Sequence, residues 1–157
     1  MGIATMLTTP ETIRTLQRKL YRKAKKEPTC RFHVLYDKVY RADILSYAYH
    51  LVRANKGSAG IDGVTFAAIE ANEGAPAFIG ELAEALRNKT YQPDPVQRVM
   101  IPKSDGSQRP LGIPTIRDRV AQMAAKLVIE PIFEADFCAT SYRFRPKKSA
   151  HDAVDVL

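Results

Sequence analysis

YQPDPVQRVMIPKSDGSQRPLGIPTIRDR, residues 91–119, is the stretch that decides how this chain folds. Pro93 and Pro95 make 91–95 a stiff connector, because proline excludes helix there. Residues 96–101 are rich in β-branched side chains, and Asp105-Gly106 is a strong hairpin-turn signal. Residues 108–113 return as a second strand. Pro110 lacks a ladder donor, so this strand is expected at an edge or only briefly paired. Thr115-x-x-Asp118 then resembles a capping box that opens a helix. Lys103 and Arg109 thus flank a Ser-Asp-Gly-Ser turn. Lysine is a compact point charge and arginine a planar fork, so a hairpin carrying both can grip phosphate. A solvated turn explains the same residues, and spacing leaves both readings open.

Outward from the hairpin, the chain reads as mostly helical. Residues 11–26 have Ile13, Leu16, Leu20 and Ala24 on one face, with Thr9 or Thr12 as the expected cap. The same stretch carries Arg14, Arg18, Lys19, Arg22, Lys23, Lys25 and Lys26. Such a run is either a solvated face or a surface that tracks phosphates. Residues 31–54 form a second helical zone, expected to break near Asp37. Its aromatics, Tyr36, Tyr40, Tyr47 and Tyr49, recur at helical spacing and read first as core, with base stacking as the alternative. Residues 55–63, NKGSAGIDG, hold three glycines and form a loop, which permits positive φ and close approach of a ligand. Short helices are expected at 65–73, capped by Thr65, and from 75 to about 88. The helix after Thr115 carries Ile116, Val120, Met123, Ala124 and Leu127 inward, and Pro131 is expected to end or kink it. Residues 141–146 are irregular, and a last helix begins at 149–152.

Of the 157 residues, 45% are apolar, enough for a core, so wholesale disorder is excluded. A net charge of +7 favours an anionic partner, most often nucleic acid. No apolar run approaches the ~18–20 residues that span a bilayer, and the N-terminus lacks a secretory signal. Cys30 and Cys138 lie far apart without a CxxC, as in a reducing cytoplasm, and three scattered histidines argue against zinc.

Four segments together carry a resemblance. RVMIPKSDGSQRPLGIPTIRDR at 98–119 resembles the first main reverse-transcriptase block of bacterial group II intron-encoded proteins. ANKGSAGIDGVT at 54–65 is similar to the block before it, SYRFRPKKSAHDAV at 141–154 to the block after it, and RFHVLYDKVYRADIL at 31–45 to the segment just upstream. Their order and spacing cover about residues 31–154. The resemblance implies an α+β, mainly helical fingers region with a small antiparallel hairpin at 31–157, the start of a palm, and a basic helical extension at 1–30. It implies that Lys103 and Arg109 contact an incoming dNTP. Lys56, Gly57, Ser58, Gly60, Asp62 and Gly63 then lie over template and primer, and Phe144, Arg145 and Pro146 beside the template. The neighbouring cations Arg98, Arg117 and Arg143 are expected on the same RNA or DNA. Two positions depart from the family pattern, which places glycine where this chain has Arg143 and Lys147. The family's palm carboxylates, including its Tyr-x-Asp-Asp turn, are absent from this sequence. Mg²⁺ is therefore expected for a complete enzyme and not for this chain, which reads as cut before the palm. A surface meant for the palm is then a candidate for self-association. A stand-alone RNA-binding, maturase-like module and a degenerate product without activity are the alternatives.

Overall fold

A computed structural model describes residues 8–143 and 145–154. In chain order these form α1 (Glu11–Lys26), α2 (Tyr36–Val39), α3 (Ala42–Ala54), α4 (Phe66–Asn72), α5 (Gly74–Arg87), β1 (Gln97–Pro102), β2 (Gln108–Ile113), α6 (Ile116–Asp136) and α7 (Ala150–Val154). The fold is α+β and mainly helical, with one two-stranded antiparallel sheet.

Helix α6 is the spine. It buries Val120, Ala124, Leu127 and Val128 against α1 and α3, and α5 closes the far side of α3. The 3.6-residue periodicity of α1 places Ile13, Leu20 and Ala24 in this core, each Ile or Leu contributing roughly 1.5–3 kcal/mol by burial. The segment 1–30, read as an extension, thus shares one hydrophobic core with α3 and α6 over its described part. Tyr47 and Tyr49 are also core, with Tyr49 set edge-on to Phe66 at 5.6 Å. Tyr36 remains half exposed and donates its hydroxyl to the Leu86 carbonyl at 2.6 Å.

Three expectations are corrected. Neither Thr9 nor Thr12 caps α1: Pro10 holds the N-cap position without a side-chain bond, and Thr9 Oγ1 instead meets Tyr47 Oη at 3.1 Å. The zone 31–54 becomes helical only at Tyr36, and the break expected near Asp37 falls three to four residues on, at Tyr40 and Arg41. Arg41 adopts extended backbone and forks onto Asp43 at 3.0 and 2.6 Å, which starts α3 afresh. Of the two outcomes expected at Pro131, an end or a kink, the end is excluded: α6 continues to Asp136. Proline at 131 removes the N–H that would bond the Leu127 carbonyl. Gln17 of α1 fills that gap, donating Nε2 to Leu127 O at 3.1 Å.

Candidate nucleotide and nucleic-acid interface

The strands pair Gln97↔Ile113, Val99↔Leu111, Met100↔Pro110, Ile101↔Arg109 and Pro102↔Gln108. Pro110 pairs opposite Met100 in a ribbon with both edges open. Facing residues in a pair share a side of the ribbon, as do residues two apart. Arg109, opposite Ile101, therefore shares a side with Lys103, while Arg98 lies on the other. The turn that separates them is firmly built. Gly106 adopts φ 80, Lys103 N–H donates to Ser107 O at 2.8 Å, and Asp105 accepts the Ser107 N–H and hydroxyl at 2.9 and 2.6 Å. The Ser107 hydroxyl and N–H hold the Asp105 carboxyl below its ordinary range. Lys103 and Arg109 are exposed, and neither has an acidic partner among the described residues.

The ribbon stands away from the helical body, so its root matters. Asp118, in the first turn of α6, is 1% exposed. Its carboxylate accepts the Thr115 hydroxyl at 2.9 Å, the Asp94 N–H at 3.0 Å and the Tyr91 phenol. Thr115 Oγ1 accepts the Asp118 N–H at 3.2 Å, completing the box. One buried carboxylate thereby fastens the connector that leads into β1 to the helix that follows β2. Burial and the adjacent Asp118 push the Tyr91 phenol far above its ordinary value. Arg117 lies over the Tyr91 ring at 5.1 Å.

The glycine loop docks on the same helix start. Lys56, φ 45, turns the chain out of α3, and Gly63 adopts φ 68. A Cβ on Gly60 would stand 2.7 Å from Thr115 Cα, and one on Gly57 would stand 2.0 Å from Arg119 Nη1. These glycines permit contact between two backbones and a guanidinium. Arg119 donates Nη2 to Ser58 O at 2.5 Å. Asp62 accepts the Val64 N–H at 3.1 Å, and Lys56, Ser58, Asp62 and Gly63 are exposed.

At the end of α6, Arg145 is an anchor. Its Nε and Nη2 clasp Glu134 at 3.1 and 2.6 Å, its Nη1 bonds the Cys138 and Ser141 carbonyls at 3.0 and 2.8 Å, and it lies over Phe137 at 5.3 Å. The Glu134 hydrogen bonds raise the guanidinium's pKa further. Pro146 and Lys147 lie at the surface, between this anchor and α1. Lys147 takes φ 58, the left-handed conformation that favours glycine; Arg143 does not. Phe144 lies outside the described residues.

The structure thus brings the glycine loop, the hairpin root and the start of α6 together. Lys103 and Arg109 lie on the ribbon beyond it, and Arg145 sits at the opposite end of α6. Sequence reasoning missed Arg119, Tyr91 and Glu134 as fixing residues. Asp118 was legible as a cap but not as the anchor of 91–94; Arg119 reaches 61 residues back and carries no local signal. Among the described residues, no three His, Cys, Asp or Glu side chains come together to hold a metal. No described helix is long and apolar enough to cross a membrane.

No family model matches the chain. In sequence the chain is similar to proteins encoded within introns, among them group II intron-encoded proteins, over part of their length. It is 35% identical over 131 residues to the group II intron-encoded protein LtrA of Lactococcus lactis subsp. cremoris, covering 80% of this chain and 21% of that protein. It is 40% identical over 147 residues to Protein YkfC of Escherichia coli K12, covering 92% of this chain and 38% of that one. The putative COX1/OXI3 intron 2 protein of Saccharomyces cerevisiae is 28% identical over 113 residues. The chain spans less than two-fifths of the length of these relatives, 38% in the case of YkfC and 21% in that of LtrA.

Proposed function

We propose that this chain is the fingers part of a group II intron-type RNA-directed DNA polymerase. In this reading Lys103 and Arg109 hold the triphosphate of an incoming dNTP, and the glycine loop lies over template RNA or DNA. The observation that carries it is the ribbon register: both cations share one side, without acidic partners, on a hairpin rooted by Asp118. Relationship to an intron-encoded protein supports intron RNA as the natural partner. In phosphoryl transfer such cations offset charge that grows on the phosphates in the transition state. Placing the Arg109→Ala change at the matching position of a full-length relative tests the role. A raised KM for dNTP or a lowered kcat is expected, because a charge-assisted contact is lost; unchanged kinetics would remove it. The chain alone, given Mg²⁺, primer, template and dNTPs, is expected to bind without extending the primer. Templated product from it would refute that part.

A second reading, RNA binding without polymerisation, rests on α1. Lys19, Arg22 and Lys26 recur at helical spacing on one exposed face, and none has an acidic partner among the described residues. RNA binding that survives changes at Lys103 and Arg109 but not on this face favours it.

A further inference from the structure

Between the loop that leaves α3 and the second turn of α6 lies a cavity of about 280 Å³. Its floor is apolar, made by Val52 and Met123; its rim carries Asn55, Gln122, Arg119 and Lys126. Val52 is buried and Met123 partly so, and both border the space. Asn55 and Gln122 are exposed amides, each able to donate and accept at once. Arg119 has an Nε that is shut off from solvent and lacks a hydrogen-bond partner among the described residues. An unmet buried donor is costly, so a ligand that satisfies it is favoured. Lys126, itself exposed, meets only Glu130 among the described residues, at 3.5 Å, a separation that holds a lysine weakly.

An apolar floor, two amides and two cations match one chemical object: a flat heteroaromatic ring with polar edges and an anionic group attached. We propose that this cavity holds a single unstacked nucleotide of a nucleic-acid strand. Its base lies on Met123 and Val52, its edge meets Asn55 and Gln122, and its phosphate meets Arg119 and Lys126. Single-stranded nucleic acid is commonly read this way, by unstacked bases against side chains and by edge contacts. This deepens the nucleic-acid reading above, which it needs only for the ligand's class; it assigns a base-holding role to Asn55, at the start of the glycine loop, and to Gln122 and Met123 of α6.

The test is by NMR, with the Met123 ε-methyl signal identified through Met123→Leu and the Arg119 Nε–H signal through Arg119→Lys. Titration with a nucleoside monophosphate is expected to move both, the methyl by the ring current of a stacked base. Inorganic phosphate alone should move only Arg119. Gln122→Ala combined with Asn55→Ala, both at exposed positions, should weaken the response about tenfold, in the range that loss of base contacts produces, with an unchanged thermal melt. A Met123 methyl that stays still at millimolar nucleotide overturns the proposal, whether or not phosphate moves Arg119. A single-stranded RNA oligonucleotide separates the two readings. If it binds with Met123 unmoved, the cavity assignment fails and the wider function stands. If mononucleotide moves Met123 but the oligonucleotide does not bind, the assignment of the cavity to a strand fails along with the wider function, and its occupant is a free mononucleotide.

Discussion

Three lysines, Lys56, Lys89 and Lys147, sit in left-handed backbone, at φ 45, 57 and 58. Lys89 is the clearest case because its surroundings define its job. Its N–H bonds the Leu86 carbonyl at 3.2 Å and the Thr90 N–H bonds Ala85 at 3.0 Å, the two bonds that close a Schellman end on α5. Glycine meets no Cβ penalty there. Lys89→Gly should therefore raise stability by about 0.5–1 kcal/mol and the melting temperature by a few degrees; a fall in a thermal melt would contradict this. Asp118 is the opposite case, a residue whose loss leaves donors stranded. Asp118→Ala removes the acceptor for Tyr91, Asp94 and Thr115 together and should cost roughly 3 kcal/mol, measured by urea unfolding. Tyr91→Phe, which removes one of the three donors, should cost about 1 kcal/mol by the same reasoning. Equal losses for the two would mean that Asp118 does not act as a shared anchor. The sequence showed half of this: a capping box predicts that Thr115 and Asp118 meet, but nothing local says that a buried carboxylate also receives a chain passing 24 residues earlier.

At the scale of elements, most of the fold was legible because its signals are local. Thr65 caps α4 through Ala68 N–H at 3.1 Å as its position implied, and the Asp105-Gly106 turn sits where expected. At Pro131 the outcome was settled by a distant partner. The Gln17 bond to Leu127 O explains why α6 survives a proline, and it makes a quantitative demand. Gln17→Ala should cost about 1 kcal/mol, since a partly buried carbonyl loses its donor. In a Pro131→Ala background the helix supplies its own N–H to Leu127, and the same change should cost much less. A double-mutant cycle showing no coupling would refute this account. The hairpin makes a separate demand on pH. Asp105 has its folded pKa lowered below 3.8 by Ser107, so the unfolded chain binds the proton more readily. The turn's extra stability is thus full above the unfolded pKa and is lost as pH falls through the folded one, in the region below about 4. Amide exchange at Ser107 should accelerate there, and Asp105→Asn should flatten the dependence. Because Asp105 is exposed, salt should have little effect on the rest of the domain through this group.

For the molecule as a whole, charge and core are built on the same helix. The buried face of α1 supplies Ile13, Leu20 and Ala24 to the core, while its outer face presents Lys19, Arg22 and Lys26 to solvent. Periodicity alone separated those faces. It did not reveal which basic residues are engaged elsewhere: Lys23 pairs with Glu27 at 2.6 Å, Lys25 donates to the Ala135 carbonyl at 3.1 Å, and Arg18 meets Glu11 at 3.4 Å. Such pairs need the folded chain to be seen. They also narrow the surface that remains available to a polyanion, and this yields a whole-molecule prediction. Converting Lys19, Arg22 and Lys26 together to glutamine leaves the core untouched, so the melting temperature should stay within a degree or two, as is usual for exposed sites. Affinity for single-stranded RNA should fall, and the slope of log affinity against log salt should become shallower by about 2, as three phosphate contacts at roughly 0.7 each disappear. Converting Lys23 and Lys25 instead should change the slope by less than half as much, because their charges already face a carboxylate and a helix end. A slope that responds equally to both sets would show that net charge, rather than this face of α1, governs the attraction. A slope that responds to neither would place the RNA contacts elsewhere on the molecule, with the hairpin cations Lys103 and Arg109 as the next set to convert.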